Sequence, residues 1–264
     1  MARTSIDIWN PNFLDTSSIF EPLRSVASPF ANKSAWPTLD DVAVQFAKRK
    51  IPIRPVSQGN KPACREEKYE SRIYLQGELQ TRDENWHDFF NALIWLQFPK
   101  TKSVLNALHY QASSARAEKT NRGPLENVLA MFDESGAIVL SRRADLLQMI
   151  RDHDWYRLFV ENREAFDKDI ICLLFGHALY EKALTPYVGM TAQTLLIYCD
   201  TSLQNDGQAL DTMVAEIWRQ GGVSNTKDLE SLPILGVPGW YENQDSAFYA
   251  DTGYFRPKRV RSEI

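Results

Sequence analysis

The chain has 264 residues, 44% hydrophobic and 24% charged, enough to bury one good core and too apolar for a disordered or fibrous protein. Its 30 Lys and Arg against 34 Asp and Glu leave a formal charge of −4, so net charge does not drive binding to a polyanion and any anion site must be local. Cys64, Cys172 and Cys199 are odd in number and widely spaced; they spell neither a zinc ribbon nor a disulfide framework, and a reducing cytoplasm suits them.

At the N-terminus, Asp7, Asn10 and Pro11 stand where a secretory signal needs an unbroken apolar run, so a cytoplasmic protein is expected. Seven of the 13 prolines lie between Pro11 and Pro62, which predicts a mostly extended or looped segment over 1–65 with one short helix near 39–50. Trp9, Phe13, Phe20, Phe30 and Trp36 would pin this segment onto a single main domain, 66–264. Ile73, Leu75 and Leu79 alternate about Gly77 and predict a strand or hairpin over 72–81. Asn85, with Asp88 three positions on, opens a helix that Pro99 stops; Thr101 caps a second helix running to about Ser114. Gly123-Pro124 starts a third and Gly136 ends it. A short β run, 137–140, leads to Ser141 as cap of a helix over 142–151, and further helices are predicted at 155–162, 167–184 and 209–219, with strand at 195–199. The most apolar stretch, 170–179, reads as a buried helix too short to span a membrane. From about 232 the chain turns irregular and aromatic, and it ends in the basic run Arg256 to Arg261. The expected fold is α+β and predominantly helical: a compact helical core with a small β-sheet, wrapped by irregular aromatic and proline-rich N- and C-terminal segments.

Of the four histidines, His177 and Glu181 are one helical turn apart, so imidazole and carboxylate can reach one point. That spacing suits a metal half-site or a base held by a carboxylate; it also suits a neutral core histidine satisfied by a hydrogen bond. His87 and, one turn later, Asn91 share a helix otherwise crowded with Trp86, Phe89, Phe90, Leu93 and Trp95, which makes them candidate ligands or oriented donors at a pocket edge. His109 lies beside an apolar stripe, at a core rim or a cleft, and His153 reads as exposed. Asp133-Glu134 could supply carboxylates to a histidine site, though an acidic pair before Gly136 reads first as solvated turn chemistry. From Lys100 to Arg122 five cations face the single acid Glu118, and Arg122 before an open helix N-terminus suits a phosphate or carboxylate clamp. No phosphate loop, nucleophile elbow or HExxH motif occurs.

The segments NWHDFFNALIWLQFPKTKSVLNALHYQ from Asn85, NRGPLENVLAMFDESGAIVLS from Asn121, LFGHALYEKALTPYVGMT from Leu174 and LPILGVPGWYENQDSAFYADTGYFRP from Leu232 resemble an uncharacterised bacterial family, the domain of unknown function DUF3025. The resemblance implies that the His87, Arg122 and His177 segments belong to one recurrent bacterial, cytoplasmic domain; it implies no activity. The leading reading is a metal- or histidine-assisted hydrolase for an anionic, phosphorylated small substrate. His87, His177 and Glu181 would be catalytic groups or ligands of a divalent metal, and Asn91, His109 and Arg122 would bind substrate. The alternatives are a non-enzymatic adaptor and a weak nucleic-acid binder using 100–122. A mononuclear centre requires His87 and His177 to lie well within about 10 Å of one another.

Overall fold

A computed structural model describes residues 8–116, 121–199 and 206–258. The basic residues Lys119, Arg259 and Arg261, and the acid Glu118, lie outside them.

Between residues 13 and 30 the N-terminal segment is neither extended nor a plain loop. Proline fixes φ near the helical value, and the segment instead forms short 3-10 turns, Phe13–Asp15, Ser18–Leu23 and Ser28–Phe30, around one turn of α1, Arg24–Ala27. Helix α2, Leu39–Lys48, starts with a capping box between Thr38 and Asp41. Strand β1, Arg54–Ser57, then pairs in parallel with β2, Glu78–Thr81. The expected strand over 72–81 is corrected: its first half is helix α3, Tyr69–Gln76, ended by Gly77 at φ 65°, a left-handed cap that turns the chain into β2.

Helix α4, Trp86–Gln97, begins at Asn85, whose side chain accepts from the Asp88 backbone N–H. The Asp88 carboxylate turns outward instead, accepting from Arg82 at 2.7 to 2.9 Å. Pro99 does not merely stop α4; it is the first residue of α5, Pro99–Ala115, where its missing N–H is no loss. Thr101 is therefore inside the helix, and the carboxylate of Asp211 caps α5 by accepting from the backbone of Lys100 and Thr101 at 2.8 Å. Asp211 lies on α10, Gly207–Arg219, which packs along α5. Helix α6, Pro124–Ser135, runs without a loop into β3, Gly136–Ser141. Ser141 does not cap the next helix; its hydroxyl donates to the Asp169 carbonyl, and α7, Ala144–Asp152, starts after Arg143. His153 ends α7 in the left-handed region, half-buried with its ring stacked 4.9 Å from Trp155.

The predicted helix over 167–184 is three elements. Helix α8, Arg163–Asp169, leads to β4, Ile170–Leu174, and after Gly176 comes α9, His177–Ala183. Strands β5, Thr191–Tyr198, and β6, Glu230–Pro233, complete a sheet of order β4-β3-β5-β6, in which only the β3–β5 pair is parallel. One continuous core runs from Trp9 to Phe255. At the C-terminal end Tyr254 donates to the Met190 carbonyl at 2.7 Å and accepts from the Leu235 N–H at 2.9 Å, tying the irregular segment to the sheet. The last short helix is α11, Ser246–Tyr249. The architecture is α+β and predominantly helical. No helix among the described residues is long and apolar enough to cross a membrane.

Candidate metal centre

Helices α4, α6 and α9 meet at their ends. His87 is the second residue of α4, and His177 the first of α9. Glu134 is the penultimate residue of α6. What brings them together is a close backbone approach: the Phe175 and Gly176 N–H groups both donate to the Gly136 carbonyl at 2.9 Å, locking the start of α9 against the end of α6. A Cβ on Gly176 would lie 2.5 Å from the Glu134 carbonyl, so the approach requires glycine.

The two imidazoles cross at 76° with His87 Nε2 and His177 Nε2 3.0 Å apart. Glu134 Oε2 stands 3.8 Å from the first and 3.6 Å from the second. A carboxylate stands behind each imidazole, at hydrogen-bond distance from His87 and farther from His177, whose buried Nδ1 has no hydrogen-bond partner among the described residues. His87 Nδ1 lies 2.9 Å from Glu181 Oε2, and His177 Nδ1 lies 3.7 Å from Asp133 Oδ2. Asp133 in turn pairs with the buried ammonium of Lys102, which also donates to Asn91 Oδ1 at 2.9 Å. The Asn91 amide N–H donates to the Tyr69 hydroxyl, and Asn106 donates to the Glu70 carboxylate.

These neighbours spread the proton affinities. The hydrogen bond to Glu181 raises the pKa of His87 above that of an ordinary imidazole. Burial pushes His177 down to about 3, so it is neutral and its lone pair is available. Burial raises the Glu134 carboxyl. Burial also resists ionisation of Asp133, but the Lys102 charge and hydrogen bond, together with the nearby imidazoles, outweigh it and the carboxyl lies below its usual range.

The centre opens into a cavity of about 500 Å³, and Glu134 keeps half of its side-chain surface exposed. Of the residues singled out in the sequence, His87, His177, Asn91, His109 and Arg122 all line this cavity. Glu181 sits outside the lining, on the far nitrogen of His87 rather than beside His177. The carboxylate that joins the two histidines is Glu134, of the pair that reads as turn chemistry; these three side chains can hold a metal ion. A signal for it was present: two acids in the last turn of a helix oppose the helix dipole, and such a placement needs cations or a metal nearby. Lys102, counted as part of a basic run, is 4% exposed and committed to this network. Lys100 donates to Thr212 and Arg116 pairs with Glu126, so the described residues of the 100–122 segment offer no row of open cations; Arg122 is exposed at the cavity edge.

A two-histidine, one-carboxylate cluster facing a polar cavity in an α+β fold is the class of site that defines this molecule. The chain belongs to the family described as protein of unknown function (DUF3025), which matches residues 53–259 and so includes every member of the cluster. No curated protein and no solved structure matches it.

Proposed function

We propose that the protein is a metal-assisted hydrolase, holding a divalent transition metal with His87 Nε2, His177 Nε2 and Glu134 and acting on a small anionic, phosphorylated substrate in the adjoining cavity. The observation that supports this is the spacing of the three ligand atoms, 3.0, 3.6 and 3.8 Å. Ligands about 2.1 Å from a tetrahedral metal stand about 3.4 Å from one another, so small side-chain adjustments suffice. Three protein ligands rather than four leave a coordination position for water or substrate, the mark of a catalytic rather than a structural site.

A metal there would supply Lewis acidity and lower the pKa of a bound water. The chain's own groups do the rest. Glu181 fixes His87 with Nε2 inward, and Asp133, 3.7 Å from His177 Nδ1, places a negative charge behind the second imidazole. Arg122, at the rim, offsets substrate charge, and His109 lines the path beyond it.

Elemental analysis of the purified protein tests the reading. About one transition metal per chain is expected, falling to a small fraction in His87→Ala and Glu134→Gln, with phosphate release from a panel of phosphomonoesters lost in parallel. Arg122→Ala should retain the metal and raise KM. Absence of stoichiometric metal binding would sink the hydrolase and favour an adaptor whose polar residues lock helix packing.

A further inference from the structure

Resting on the hydrolase reading, we infer that Tyr69 is a catalytic residue whose hydroxyl donates to an acceptor oxygen of the bound substrate, a phosphoryl oxygen in the first instance. The inference follows from the direction of three hydrogen bonds. An ammonium only donates, so the atom of Asn91 that faces Lys102 Nζ must be the carbonyl Oδ1. That orients the other end of the amide, and its N–H donates to the Tyr69 oxygen. Tyr69 accepts there, so its own hydrogen has to point elsewhere.

Among the described residues no group accepts from it, and Tyr69 lines the same cavity as His87, Glu134 and His177. Burial, assisted by the Glu70 charge, holds the phenol well above its ordinary pKa, so the hydroxyl keeps its proton through the working range. The donor is also pre-positioned. Asn91 is one turn along α4 from His87, and Lys102 bridges Asn91 to Asp133, which stands behind His177. A single relay, Asp133–Lys102–Asn91–Tyr69, therefore runs from a carboxylate beside His177 to the hydroxyl; Lys102 and Asn91 are positioning residues. Such a donor stabilises charge that builds on a substrate oxygen without reorganising as the reaction proceeds.

The experiment uses cobalt(II)-loaded full-length protein, its visible absorption reporting metal coordination, with inorganic phosphate as probe. Tyr69→Phe removes one oxygen and keeps the ring. It should bind cobalt within about twofold of wild type and phosphate about tenfold or more weakly, the loss of one hydrogen bond to a charged acceptor. Equal phosphate affinity with intact cobalt binding overturns the role of Tyr69 and leaves the metal reading standing. Failure of the wild type to bind cobalt overturns both. Should Tyr69→Phe itself lose cobalt, 3-fluorotyrosine placed at position 69 alone gives a fluorine resonance in a near-native side chain. A shift of that resonance when phosphate is added to the cobalt-loaded protein supports the contact, and an unmoved resonance overturns it.

Discussion

Two imidazole nitrogens 3.0 Å apart can share one proton but not keep two, and here the surroundings decide which ring carries it. Glu181 favours the charged form of His87, whereas burial forbids it at His177. A metal entering between them must displace the proton on His87. Metal affinity should therefore rise with pH up to the raised pKa of His87 and level off above it, by about tenfold per pH unit on the rising limb. Cobalt titrations across pH 5.5 to 8.5 would check this, and a flat profile would contradict it. In Glu181→Gln the rising limb should move to lower pH, while the plateau affinity drops about 10- to 100-fold because His87 is no longer oriented. The metal-free protein carries the complementary signature. With His177 held neutral down to about 3, the unfolded chain takes up a proton that the native state refuses once the pH falls below about 6.5. Stability from this group is present above that value and drains as pH falls. His87 acts oppositely, its contribution full at low pH and lost as pH rises through its raised pKa. Comparing urea midpoints at pH 7.5 and pH 5, His177→Gln should lose less on acidification than wild type does.

At the scale of elements, the junction between β4 and α9 sets the centre. A methyl at Gly176 would meet the Glu134 carbonyl, the Gly136 nitrogen and the Ser135 Cα at 2.5 Å, all backbone atoms without a rotamer to yield. Gly176→Ala should cost about 2 to 3 kcal/mol, as overpacking does, and should also push α6 away from α9. The diagnostic is metal affinity: it should fall further in Gly176→Ala than in Leu147→Ala, a core truncation on α7 of comparable cost away from the junction. This junction also marks the limit of what the sequence discloses. Helices α4 and α6 were legible because their start and stop residues agree with their apolar periodicity. The run 170–184 was not, since a short buried strand followed by a helix is as continuously apolar as one buried helix. Ile73 and Leu75 suggest strand for a similar reason, since an alternation over so few residues fits either period. His87 and His177 were each visible as candidates, but their meeting is made across 90 residues by packing that no local pattern encodes.

In the whole molecule, α4 is used on two faces. His87 and Asn91 look into the cavity, while Trp86, Phe89 and Phe90 are covered by the N-terminal aromatics: Trp9 stacks on Trp86 at 5.1 Å and Phe20 on Phe90 at 5.8 Å. The family match begins at residue 53, yet the cover supplied by Trp9, Phe13 and Phe20 belongs to the same continuous core as β3 and β5. We propose that the N-terminal segment and the main domain fold as one cooperative unit and that the cover holds the register of α4, and with it His87. Trp9→Ala tests the coupling far from the metal ligands. Losing a buried indole, with its hydrogen bond to the Lys33 carbonyl, should cost about 3 to 4 kcal/mol. If the unit is single, far-ultraviolet ellipticity and the visible bands of bound cobalt will disappear together in urea, at a midpoint lowered equally for both. If the N-terminal segment is a separate layer, Trp9→Ala will instead produce an early step in ellipticity that leaves the cobalt bands unmoved, and the register argument for α4 falls with it.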